Sequence, residues 1–351
     1  MKGTVMYLAG IAGPTGFGSK STAQQVTQHY LPPPPSPSSS SPTPLTAIIT
    51  GATSGIGEET ATVLAKSGAV RVVIAARDVN KALRLKQSIL HHSPDAQIVV
   101  LELDLSSLAS VASFCRRFLS LGLPLHILIN NAGIFSHGLE FSEDKIEMTF
   151  ATNYLGHFLL TELLLEKMEE TAQESGKHGR IINLSSAIHS WVKRDSSFSF
   201  QNMLNPTNSS SSSSYNGTRA YAQTKLAAIL HAKELSRQLK ARNAKVTVNA
   251  VHPGIIKTGI IRDHKGLITD SVYFIASKLL KSVSQGAATT CYVALSPQIE
   301  GVGGKYFADC NESNCSALGN DEGEALQLWE HTRAFIHTRL LLQPTSSTSF
   351  R

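Results

Sequence analysis

This 351-residue chain predicts an α/β fold: a single doubly wound domain around one parallel sheet of about seven strands. Two observations carry that prediction. Short β-branched runs alternate with longer helical stretches, as in parallel strands joined by crossover helices. The first run, Leu45 to Thr50, leads directly into a glycine-rich turn and then a stretch with few helix breakers. A hydrophobic fraction of 42% is ample for a core, and no apolar run approaches the length of a membrane-spanning helix.

Further strands are expected at Val70 to Ala76, Gln97 to Leu103, His126 to Asn130, Arg180 to Leu184 and Lys245 to Val251. A short run near Lys305-Tyr-Phe307 completes seven. The organisation read from this pattern has three parts. Residues 1–44 form a flexible leader with a Pro/Ser linker, 45–310 the domain itself, and 311–351 a C-terminal helix and tail. The leader has no Asp or Glu and only Lys2 and Lys20 as strong bases; a linker of this composition has nothing to bury. Deleting residues 1–44 is therefore expected to be tolerated, whereas deletion from Glu324 onward should uncover apolar surface. In the C-terminal run, Leu326, Trp329, Phe335 and Leu342 are expected near one helical stripe, either docked on the domain or meeting a partner helix-binding protein.

Chemistry begins at Gly51-Ala-Thr-Ser-Gly55-Ile-Gly57. Glycines between a strand and a helix let the backbone approach a pyrophosphate, whose charge is favoured by the free N–H groups at the helix start. The second strand ends in Ala76 and Arg77, where an acid would otherwise hold a ribose 2′-hydroxyl. A guanidinium there favours a 2′-phosphate, hence NADP(H) over NAD(H), unless Arg77 is a solvated strand-end charge.

Tyr221 and Lys225 stand four residues apart in a helical stretch and so share a face. A nearby ammonium is expected to lower the phenol's pKa and prepare it for proton exchange with a substrate oxygen. Upstream lies the strand-like Arg180-Ile-Ile-Asn-Leu-Ser-Ser186.

Taken in order from Leu45 to Asp309, these residues resemble the short-chain dehydrogenase/reductase family, which has a Rossmann fold. The resemblance rests on the Thr50 to Gly57 turn, Asp104, Asn130-Asn-Ala-Gly133, Asn153, Ser186, Tyr221 with Lys225, and Pro253-Gly254 with Thr258. It implies a catalytic tetrad of Asn153, Ser186, Tyr221 and Lys225, with Ser186 rather than Ser185 as the catalytic serine. It implies a cofactor site made by Thr50, Gly51, Ser54, Gly55, Ile56, Gly57, Arg77, Asp104, Leu105, Asn131, Ala132, Gly133, Tyr221, Lys225, Pro253, Gly254 and Thr258. No metal site is expected.

The leader segment Gly13 to Thr27, Thr152 to Phe158 and Gln285 to Tyr292 are similar to a plant subgroup related to a chloroplast-envelope translocon dehydrogenase and to retinol dehydrogenases. That implies a chloroplast address with peripheral membrane or envelope-complex association, a cytoplasmic one being the alternative. Two function classes follow: an NADP-dependent oxidoreductase interconverting a carbonyl and an alcohol, and an NADPH-sensing regulatory or scaffold subunit. The apolar residues between Ile255 and Leu280 favour a small apolar carbonyl or alcohol substrate, or else pack on the sheet. The chain departs from the subgroup in its Pro/Ser linker and in a serine-rich insert, Ser209 to Ser214, between Ser186 and Tyr221. A net charge of +6 comes from dispersed basic residues, which argues against nucleic acid. Cys115, Cys291, Cys310 and Cys315 are too scattered for a disulfide framework, although Cys310 and Cys315 are near enough for a redox pair.

Overall fold

A computed structural model of the chain describes residues 10–31, 43–194, 200, 215–256 and 280–341. Eight strands form one sheet: β1 (Leu45–Thr50), β2 (Val70–Ala76), β3 (Ile98–Glu102), β4 (Ile127–Asn130), β5 (Gly179–Leu184), β6 (Val246–His252), β7 (Tyr306–Ala308) and β8 (Asn311–Ser313). Their order is β3-β2-β1-β4-β5-β6-β7-β8, parallel throughout except for β7 with β8. The order reverses beside β1, so the cleft past the carboxyl ends of β1 and β4 is the place where a doubly wound sheet binds ligands.

The first seven strands match the sequence expectation, and the eighth adds to it. Asp309 and Cys310 both take positive φ, 52° and 62°, and turn the chain back on itself. A three-residue edge strand with two exposed positions has no apolar alternation to announce it.

Residues of the central strands alternate between two apolar cores, as a period of two requires. Ile48, Leu128, Ile181 and Val248 face one, packed by α4 (Leu108–Ser120), α5 (Gly156–Ser175), α6 (Gly217–Ala241) and α8 (Glu322–Leu341). Ala47, Ile49, Ile129 and Ile182 face the other, covered by α1 (Ala23–Tyr30), α2 (Gly55–Lys66), α3 (Val79–His92) and α7 (Val283–Leu295).

Helix α1 corrects the reading of residues 1–44 as a flexible leader and linker. It opens on a reciprocal capping box, in which Gln25 N donates to Thr22 Oγ1 at 3.2 Å and Thr22 N donates to Gln25 Oε1 at 2.9 Å. Ala23 and Val26 are fully buried in the second core. Ahead of the helix, Asn311 Nδ2 donates to Phe17 O at 3.0 Å, and the Phe17 ring meets Tyr292 edge-on at 6.4 Å. Residues 10–31 are thus part of the domain. The Pro/Ser linker from 32 to 42 lies outside the described residues, as do residues 1–9 and the serine-rich insert.

Helix α8 packs on α6, as a docked helix should, but through a different stripe. Ala325, Leu328, Thr332 and Ile336 are buried, and Tyr154 and Thr332 share a hydroxyl hydrogen bond of 3.0 Å. Leu326 is instead 37% exposed, and Trp329 and Phe335 flank the seam. The reason is geometric: at 3.6 residues per turn, positions nine apart such as 326 and 335 lie on opposite faces. Leu342 lies outside the described residues.

Candidate active site

Strand β1 ends at Thr50, and Gly51 then turns the chain with a φ of 63°. A side chain on Gly51 would sit 2.8 Å from Ala132 Cα, and one on Gly57 would sit 2.4 Å from Gly51 O. Both glycines are therefore needed for close approach of backbone to backbone. Gly55 differs, with a φ of 56° and open space where its Cβ would be. It begins α2, and Ser54, the N-cap residue, makes no side-chain bond to the helix's first amides. Open backbone with uncapped donors at a helix start fits a pyrophosphate.

The Asn131 loop is fastened to this turn. Thr50 Oγ1 accepts from Asn131 N and Ala132 N, both at 2.9 Å, while Asn131 Nδ2 donates to Thr50 O at 2.7 Å. Thr50 is fully buried, so its side chain serves as a brace between loops. Asp104, past the end of β3, accepts from Ser106 N at 2.9 Å and from Ser106 Oγ at 2.6 Å; Leu105 is buried behind it. Arg77, exposed, follows β2 along the same edge of the sheet.

Asn153 sits in a π-turn, Ala151–Leu155, leading into α5. Such turns recur at functional sites because they shift side chains off the regular helical spacing. Its amide makes a reciprocal pair with Ile134, accepting from Ile134 N at 2.8 Å and donating to Ile134 O at 2.9 Å, and also donates to Thr224 Oγ1 at 3.2 Å. A Cβ on Gly133 would lie 3.4 Å from Lys225 Nζ and 3.6 Å from Asn153 Oδ1, so these three residues line one space.

Lys225 is buried and donates to Leu184 O at 3.0 Å, with its Nζ 5.4 Å from the centre of the Tyr221 ring. Burial pushes the Lys225 ammonium down to about 8 and the Tyr221 phenol up to about 12. That reverses the expectation that Lys225 lowers the phenol's pKa. The cation sits over the ring and bonds a carbonyl, and burial is what raises the phenol. The paired serines differ in their surroundings. Ser185 is buried and donates to Lys225 O at 2.7 Å, while Ser186, half-buried, begins a 3₁₀ turn with a long contact of 3.4 Å from Ile188 N.

Pro253 and Gly254 follow β6. Gly254 has a φ of 93°, and a side chain there would strike Lys281 Cδ at 2.6 Å. Lys281, itself buried, pairs with Asp309 at 2.5 Å. Thr258 lies outside the described residues, as do residues 257–279 of the apolar segment.

A family model described as "short chain dehydrogenase" matches residues 45–192. Short-chain dehydrogenase TIC 32 B, chloroplastic, from Brassica napus is 47% identical over 323 residues, covering 92% of this chain and 95% of that protein. The chain belongs to the short-chain dehydrogenase/reductase family. It is also 38% identical to Retinol dehydrogenase 14 of Mus musculus, over 83% of this chain and 85% of that one. Among solved structures, an uncharacterized protein from Mycobacterium Paratuberculosis matches with a TM-score of 0.63 and 28% identity, covering 84% of this chain and 94% of that chain. This short-chain dehydrogenase/reductase is accordingly an enzyme acting on CH–OH groups, of a family that binds NAD(P)(H).

The structure of this dehydrogenase adds His157, which the sequence reading passed over. Its signal was its place in Asn153-Tyr-Leu-Gly-His157, one helical turn after the candidate asparagine. The ring contacts Asn153 O and Thr50 Oγ1 at once. Among the described residues no group of three His, Cys, Asp or Glu side chains could hold a metal, and no helix is long and apolar enough to cross a membrane. The four cysteines are free thiols; Cys310 is buried and Cys315 donates to Asn320 Oδ1 at 3.1 Å.

Proposed function

We propose that this enzyme is an NADP-dependent oxidoreductase that interconverts an apolar carbonyl and its alcohol, using Asn153, Ser186, Tyr221 and Lys225. The observation that carries this reading is the convergence of Gly133, Asn153 and Lys225 on one space at the carboxyl edge of the sheet. Tyr221 keeps its proton through the working range, and it gives that proton to the substrate oxygen in the reductive direction. Ser186 holds the same oxygen as negative charge develops on it. Lys225 and Asn153 hold the cofactor side of the cleft and the proton path behind the tyrosine. The nicotinamide cofactor supplies or removes a hydride; the glycine turn, Ser54, Ile56, Asp104, Leu105, Asn131, Ala132, Pro253, Gly254 and Thr258 are the residues that would hold it.

The choice of NADP rests on the end of β2. Arg77 is exposed there, and the acid that follows it, Asp78, is committed as N-cap of α3 by accepting from Lys81 N at 2.8 Å. Arg77 is thus placed to meet a 2′-phosphate, with one oxygen of the neighbouring carboxylate turned to the helix start. An apolar substrate is supported by Phe135, edge-on to Tyr221 at 5.8 Å, and by Ile255, 50% exposed beyond Gly254. Chloroplast residence is supported by the similarity to the chloroplastic relative, and envelope association is the finer form of this proposal. The second reading, implied by the resemblance of the sequence to the plant subgroup, is a cofactor-sensing subunit in which the site binds NADPH without turnover. A panel of apolar aldehydes and ketones, followed by NADPH oxidation, decides between them: turnover supports the enzyme reading, and binding with no turnover across the panel supports the sensor.

A further inference from the structure

We propose that His157 is a positioning residue for this site, a neutral imidazole protonated on Nδ1 that closes a ring of hydrogen bonds around Gly133. The inference rests on the catalytic reading above for its importance, and on geometry for its form. His157 Nδ1 lies 3.1 Å from Asn153 O, and Nε2 lies 2.8 Å from Thr50 Oγ1. A carbonyl oxygen can only accept, so Nδ1 carries the hydrogen. Nε2 of a neutral ring is then bare and accepts from the Thr50 hydroxyl.

That assignment is consistent with everything else Thr50 does. Its oxygen already accepts from Asn131 N and Ala132 N at 2.9 Å each, which fills both lone pairs and leaves the hydroxyl hydrogen for His157. The other acceptor within reach, Ile129 O, is farther away at 3.4 Å. A doubly protonated ring would press a third donor on an oxygen that has no place for it. Burial also pushes the ring's pKa down to about 4, against the bond to Asn153, and the Lys225 ammonium adds to the fall.

The circuit runs from Thr50 to Asn131 and Ala132, through Gly133 to Ile134, from Ile134 to the Asn153 amide, and from Asn153 O through the imidazole back to Thr50. Gly133 is the residue inside it that faces Lys225 Nζ. His157 thus joins the two supports of the loop that shapes the space beside Lys225. Opening the ring at His157 frees the π-turn and the glycine turn to shift independently, while leaving Tyr221 and Lys225 in place on α6.

Two measurements on the full chain test this. Long-range ¹H–¹⁵N NMR of histidine-labelled protein, with His157 assigned by loss of its signal in His157→Asn, should show the neutral Nδ1–H tautomer at pH 7. An Nε2–H tautomer or a charged ring overturns the proposal whether or not any substrate is known. His157→Phe, which keeps the ring's bulk, should lower kcat about tenfold or more with KM for the carbonyl nearly unchanged. His157→Asn, whose amide can donate to Asn153 O but has no atom where Nε2 meets Thr50, leaves the ring open and should recover only a minor part of that loss. Wild-type kcat in His157→Phe, or full recovery in His157→Asn, also overturns it. Tyr221→Phe assayed alongside separates the two failures: if it turns over normally the catalytic reading is wrong, and the tautomer still judges His157.

Discussion

Lys225 stands one helical turn from Tyr221, with its Nζ 5.4 Å from the centre of the phenol ring and 3.0 Å from the Leu184 carbonyl oxygen. Burial moves the two pKa values in opposite directions, each toward favouring its own neutral form, Tyr221 up to about 12 and Lys225 down to about 8. In the protein alone the tyrosine is an acid holding its proton, not a base awaiting one. A cofactor carrying negative charge close to Lys225 would favour its ammonium form, and thereby couple occupancy to the state of the phenol.

Acid stability follows from four histidines packed into the fold, three of them buried and His252 half-buried. His126, His157 and His252 are pushed down to about 4 and His231 to about 3, chiefly by burial, from an ordinary 6.5. Their folded values lie below the unfolded ones, so the unfolded chain binds more protons between about pH 6.5 and 4. Stability is complete above that window and falls as pH drops through it, by several kcal/mol in all on an order-of-magnitude basis. Melting curves from pH 7 to 4 should show Tm falling from about pH 6, above the carboxylate range; a flat Tm down to pH 4.5 would count against these rings being buried neutral.

Cofactor choice should move with Arg77. Arg77→Ala is expected to weaken NADPH binding about tenfold, the scale of one lost charge-assisted contact, while leaving NADH nearly unchanged. Fluorescence titration of both cofactors checks it. Equal affinities in the wild type would make Arg77 an ordinary surface charge.

Removing residues 1–31 should lower thermal stability. The cut strips Ala23 and Val26 from the core and the Phe17 ring from Tyr292. A truncated protein melting with the full chain would restore the reading of this segment as a dispensable leader.

That segment marks the limit of what the sequence made legible. Strands β1 to β6 announced themselves because each carries a β-branched run between breakers, β7 by its Tyr-Phe pair, and the glycine turn and the Tyr221–Lys225 pair are fixed by local spacing. Helix α1 did not, because two buried apolar positions in eight residues make a weak stripe and its acid-free neighbourhood reads as linker. His157 did not because its second partner, Thr50 Oγ1, lies far away in the sequence and reaches the ring only through the fold. The pKa of Tyr221 was misjudged for a related reason: a shared helix face shows proximity to Lys225, while the burial that outweighs it is a property of the whole fold.

The register of α8 gives a paired test. Leu328→Ala should cost about 2–5 kcal/mol as a cavity in the seam with α6, whereas Leu326→Ala on the outer face should stay within about 0.5 kcal/mol of wild type. Urea unfolding of both variants measures this. The opposite ranking would put the helix down on the other face.

The central claim is that Tyr221 transfers the proton, and turnover by Tyr221→Phe tests it most directly. The substitution removes one hydroxyl and little packing, so NADPH should bind as in the wild type while carbonyl reduction falls about a hundredfold or more. Reduction near the wild-type rate with cofactor binding intact would contradict the assignment.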